Sequence, residues 1–114
     1  MSVTYDEVKE RVFGYHRRNS HFSFHQHDDP DYVAVLEMGS DAAPHLFRLM
    51  QDHPFESVHF AYNAIPQLID PPEHIIKRMN EEALTSPTGG FVGLSVPKME
   101  EIYRQWGEEI GALV

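Results

Sequence analysis

Apolar positions recur along most of this chain at three- and four-residue spacing, and the runs break at proline, glycine or a short polar residue. That spacing is the pitch of an α-helix, and those residues are its usual punctuation. Six helical segments follow. The first starts at Thr4, with Glu7 three residues on, the pattern of a capping box in which side chains and end amides satisfy one another. Tyr5, Val8, Val12 and Tyr15 form its apolar face, and it fades near Arg17-Arg18-Asn19. Asp29-Pro30 predicts the next start, because a proline at the first helical position has no amide that needs a partner. Tyr32, Val33, Val35, Leu36 and Met38 are the apolar content of this second helix, and Gly39 sits where a left-handed residue closes one.

Ser40 or Asp41 is the expected cap of a third helix, with Ala43, Leu46, Phe47 and Met50 buried and an end before His53-Pro54. The fourth is expected from about Pro54 to Ala64, with Phe55, Val58, Tyr62 and Ile65 inward and Pro66 as its stop. Glu73 opens a fifth helix carrying Ile75, Ile76, Met79 and Ala83. Ser95 or Val96 opens the last, striped by Met99, Ile102, Tyr103, Trp106 and Ile110 and closed by Gly111. Gly107 lies inside it at a cost of about 1 kcal/mol against alanine. Residues 19–29 read as a connector in which Phe22 and Phe24 alternate with polar residues. The stretch around 85–94, rich in glycine, reads as a loop. The pattern therefore predicts an all-α fold: a single domain over 1–114, a compact array of about five to six short helices, similar to units of a helical-repeat protein. Trp106 is placed at the centre of its core. No internal repeat recurs at a fixed period.

Composition adds exclusions. Hydrophobic residues make up 41% and charged residues 24%, ordinary values for a folded domain. There is no cysteine, so disulfides, thiolate metal sites and a cysteine nucleophile are excluded. Eighteen acidic residues against nine basic ones give a net charge of −9, a field that repels a phosphate backbone and argues against direct nucleic-acid binding. No apolar run is long enough to span a membrane, and the first residues lack the basic start and apolar run of a signal peptide. The expectation is a cytoplasmic protein without a membrane contact.

Eight histidines are present, and His21, His25 and His27 cluster just before Asp28 and Asp29. Imidazole and carboxylate suit zinc, nickel or iron, so His25, His27 and Asp29 are the candidate metal ligands; the competing reading is a solvated loop. His45, His53, His59 and His74 stand singly, with no partner that would make any of them a general base. Gly89-Gly90-Phe91-Val92-Gly93 lacks the Gly-Lys-Ser/Thr ending of a phosphate loop, and no cofactor is implied. Phe91, Val92 and Leu94 are apolar residues on that glycine-rich segment, and are the candidate partner-binding residues. The adjacent carboxylates Asp28, Asp29 and Asp31, and Glu81-Glu82, are expected to cap helices or face water.

On Pro30 and Tyr32, Met38-Gly39, Ala43-Pro44, Ala61, Ala64 and Ile65, Pro71-Pro72-Glu73, and a C-terminal run of Met99, Trp106, Gly107, Gly111 and Leu113, the chain resembles a family of small bacterial helical proteins with no known activity. The family's C-terminal pattern is Met-x3-Trp-x2-Trp-Gly-x3-Gly, in which Tyr103 stands here for the first tryptophan. The resemblance covers residues 29–114 discontinuously. This chain departs from it by a fifth helix and the glycine-rich stretch before the last helix, and by Ile65-Pro66 where the family often has Ile-Thr. The resemblance implies an all-helical fold and supplies no catalytic residue. The function expected from the sequence is that of a non-enzymatic protein-interaction module, with another protein as partner and homo-oligomerisation left open. Two alternatives stand beside it: a small acidic inhibitor, of phage or mobile-element type, acting on a nucleic-acid-binding protein, and a metal-binding protein using the His21–Asp29 segment.

Overall fold

The capping signals in the sequence act where they stand. In a computed structural model, which describes residues 3–18, 29–82, 84–85, 91–93 and 96–113, helix α1 spans Tyr5–Arg18. The Glu7 amide donates to Thr4 Oγ1 at 3.2 Å and the Thr4 amide to Glu7 Oε2 at 3.5 Å, so two end amides are satisfied reciprocally. Helix α2 spans Pro30–Glu37; Asp29 caps it, its Oδ1 accepting from the amides of Asp31 at 2.8 Å and Tyr32 at 3.3 Å.

The third helix starts differently from the sequence expectation. Neither Ser40 nor Asp41 caps it. A 3-10 turn over Gly39–Ala42 runs straight into α3, Ala43–Asp52, and the Ala43 amide donates to the Ser40 carbonyl. Backbone from the preceding turn thus supplies what a side-chain cap would have supplied. His53 separates α3 from α4, Pro54–Leu68: its amide donates to the Leu49 carbonyl, and its own carbonyl accepts from the amide and hydroxyl of Ser57.

Pro66 does not stop α4 but lies inside it. A proline at 66 leaves the Tyr62 carbonyl without its intrahelical donor. The Tyr103 hydroxyl fills that position, donating to the Tyr62 carbonyl at 3.0 Å. Burial, and secondarily the neighbouring Tyr62, push the Tyr103 hydroxyl well above its ordinary pKa, which keeps it protonated as a donor.

Helix α5 spans Glu73–Glu82 and α6 spans Val96–Glu109. Between them, strands β1, Leu84–Thr85, and β2, Phe91–Gly93, pair antiparallel, with Leu84 opposite Gly93 and Thr85 opposite Phe91. The segment expected as loop therefore carries a short ribbon, with an irregularity in its register between Leu84 and Thr85. At the other end of α6, Gly111 adopts a φ of 80°, the amide of Ala112 donates to the Gly107 carbonyl at 2.8 Å, and that of Gly111 to Glu108 at 3.2 Å. This paired closure needs the left-handed residue that glycine provides without strain.

The fold is all-α, with that ribbon as its only strand pairing among the described residues. Its Cα radius of gyration is 14.0 Å, near the value of about 13 Å for a folded chain of this length. Helix α4 lies against α1, α2, α3 and α6, while α5 packs chiefly on α6. Small residues on α4, Ser57, Ala61 and Ala64, are fully buried and let these neighbours come close. Trp106 is 1% exposed, edge-on to Phe47 at 5.2 Å and Tyr103 at 5.3 Å, and so occupies the core as the sequence predicts. Ile76 and Ile110, expected in apolar stripes, are instead exposed. No helix among the described residues is long and apolar enough to cross a membrane.

Candidate functional site

The largest departure from the expected core is Phe55. Its side chain is 79% exposed. The buried residues of α4 are Ser57, Val58, Phe60, Ala61, Ala64 and Ile65, and on a helix that set turns Phe55 and His59, four residues apart, to the opposite side. Of the expected stripe Phe55, Val58, Tyr62, Ile65, Val58 and Ile65 are buried and Tyr62 is partly buried against the core, while Phe55 is turned out, because Ser57, Ala61 and Ala64 extend the buried face to the side away from it.

Phe55 stands at the edge of an apolar groove of about 530 Å³ formed where α1 ends, α4 begins and α6 begins. Tyr15, Val58 and Phe60 make its floor, and Pro54 and Phe55 its wall. The floor is continuous with the buried core: Tyr15 and Phe60 meet edge to face at 5.2 Å, and Phe60 meets Tyr32 at 5.1 Å. His16 lies edge-on to Phe55 at 5.3 Å and holds the ring upright. Glu56, His59 and Glu100 are the other lining residues among those described. A shallower depression of about 250 Å³ shares Pro54 and Glu100 and leads past Glu101 and Arg104.

The sequence could have signalled this groove only weakly. An aromatic directly after Pro54, in the first turn of a helix, is visible; the convergence of Tyr15, Phe60 and Glu100 from three helices is not.

A second concave region, of about 460 Å³, is polar and lies along α1 near Arg11, Gly14, Arg18 and Asp31. Arg18 Nη2 binds Asp29 Oδ1 and Asp31 Oδ2, each at 2.7 Å, and Arg11 Nη1 binds Asp31 Oδ1 at 2.9 Å. Burial pushes the Asp31 carboxyl up; hydrogen bonds from Arg11 and Arg18, with their charges, outweigh it and hold the group below its ordinary range. A Cβ at Gly14 would stand 2.5 Å from Asp31 Oδ2, so the clasp forms only because residue 14 has no side chain. These charges join α1 to the start of α2, a structural task.

The candidate ligands proposed from sequence divide. Asp29 is 8% exposed and its Oδ1 takes the two capping amides and Arg18. His25 and His27, like His21, lie outside the described residues. Among the described residues no group of three His, Asp or Glu side chains is placed to hold a metal ion. Phe91 and Val92 are placed as backbone of β2, and Leu94 lies outside the described residues. The other histidines have separate surroundings: His45 Nε2 donates to the Val3 carbonyl at 2.9 Å, His53 is edge-on to Phe13 at 5.1 Å, and His74 pairs with Glu109. No family model matches the chain, and no curated protein or solved structure shows significant similarity to it.

Proposed function

We propose that the protein is a non-enzymatic interaction module and that the groove beside Phe55 is its docking face. The observation that carries this is a phenylalanine 79% exposed on the wall of an apolar groove with an aromatic floor. Burying a phenylalanine that now faces water is worth roughly 1.5–3 kcal/mol, and aromatic anchors at the centre of a contact carry much of its binding energy. The edge-to-face contact with His16 orients the ring at the groove, and the helical backbone that carries it is already ordered before docking. The charge of −9 supports a narrower form of the same reading, in which the partner is a basic nucleic-acid-binding protein that this chain occupies.

The test is a photo-crosslinking side chain placed at residue 55 in the native host, compared with the same group at Glu73 on α5. A defined protein adduct from position 55 alone is expected. Equal labelling from both positions, or none from 55, would count against the reading.

A further inference from the structure

The acids of this chain are not all alike. Among the described side chains the acids that are not exposed are Asp29, Asp31, Glu56 and Glu100. Asp29 and Asp31 are bound by arginine. Glu56 and Glu100 have no cationic partner within ion-pair distance among the described residues, and both line the Phe55 groove. No lysine or arginine is among the groove's described lining residues. Two partly buried carboxylates thus stand at an apolar surface, from α4 and α6, with His16 and His59 beside them in the lining and Arg104 bordering Glu100 in the adjoining depression, but with no ion pair to either among the described residues. Partial burial of an unpaired carboxylate is unfavourable, and a cation brought in by a ligand relieves it.

We propose that the groove takes a cationic segment of a partner protein, with an apolar side chain seated against Phe55 and Phe60 and flanking lysine or arginine paired with Glu56 and Glu100. This rests on the docking reading above and adds the chemistry of the partner. A second copy of the chain is the wrong occupant on two counts. Each copy carries −9, and a two-fold contact through this face would bring Glu56 and Glu100 toward their own images. The volume of about 530 Å³ suits one or two large apolar side chains.

The experiment uses the full chain labelled with ¹⁵N and two amphipathic peptides of equal length, one of leucine and lysine and one of leucine and glutamate. Amide shifts at the end of α1 and the starts of α4 and α6 are expected with the lysine peptide and not with the glutamate peptide. The double variant E56Q/E100Q should weaken lysine-peptide binding about fivefold to tenfold, whereas E73Q/E108Q, which removes the same charge elsewhere, should not. Added salt should weaken the wild-type interaction several-fold.

If both peptides shift the groove equally, or if the two double variants behave alike, the cationic partner is overturned while a docking groove survives. If neither peptide shifts those residues, the cationic partner is overturned as well. The crosslink from position 55 then decides the docking reading separately. Shifts there from self-association at rising protein concentration would assign the face to a second copy instead.

Discussion

Replacing Tyr103 with phenylalanine isolates one hydrogen bond that the fold of α4 requires. The ring is 1% exposed and stacks on Tyr62 at a centroid distance of 5.3 Å, contacts that phenylalanine keeps. Only the hydroxyl that donates to the Tyr62 carbonyl is lost. A net hydrogen bond is worth about 1 kcal/mol, and the carbonyl left behind has no amide at residue 66 to turn to, so the expected loss is about 1–2 kcal/mol. Pro66→Ala restores that amide. In the Pro66→Ala background the same Tyr103→Phe change should cost only about 0.5 kcal/mol, a coupling of roughly 1 kcal/mol across the cycle. Urea denaturation followed by circular dichroism measures all four proteins; 1 kcal/mol corresponds to about 4 °C in melting temperature for a chain of this size. Equal losses in the two backgrounds would refute the idea that Tyr103 stands in for the missing amide.

Trp106→Ala should destabilise by about 3–5 kcal/mol, read as a large fall in denaturation midpoint, since it empties the core between Phe47 and Tyr103. Phe55→Ala, by contrast, should change stability by less than about 0.5 kcal/mol while removing lysine-peptide binding, because the ring faces water in the free protein. Gly14→Ala gains about 1 kcal/mol of helix propensity yet should lower stability overall, the new methyl meeting Asp31; with Asp31→Ala also present, the same change should turn stabilising. Because the Asp31 carboxyl is held below its ordinary 3.8 in the folded chain, its contribution is present above that pH and is lost as pH falls through the folded value. Melting temperature should therefore fall less steeply below about pH 4 in Asp31→Asn than in wild type.

What was legible in the sequence is what local chemistry determines. Thr4 and Glu7, Asp29 and Pro30, and Gly111 act within one turn of where they stand, so the starts of α1 and α2 and the closure of α6 follow from residue type. Trp106 could be placed because its stripe is formed by large side chains. What escaped depends on partners distant in sequence. Pro66 lies within a continuing helix, and a hydroxyl 37 positions on, at Tyr103, takes the carbonyl it orphans. The Ser40 and Asp41 caps are replaced by a backbone turn that no side chain announces.

The phase of α4 is the error that bears on function. Apolar periodicity weights side chains by size, whereas close helix packing favours alanine and serine, so the buried face of α4 is turned away from Phe55 and shares Val58 and Ile65 with the expected stripe. Ala61 and Ala64 went in together with Val58 and Ile65, and Phe55 went out. A phenylalanine on the exposed side of α4, next to Pro54 and in a groove also lined by Glu56 and Glu100, presents apolar surface that a polar residue at 55 would not. Solubility alone favours a polar residue there, and the ring's contact with His16 leaves it 79% exposed, which is the ground for the proposed docking role. That is why Phe55→Ala should separate binding from folding, and why equal binding by wild type and Phe55→Ala would remove the reason for assigning this groove at all.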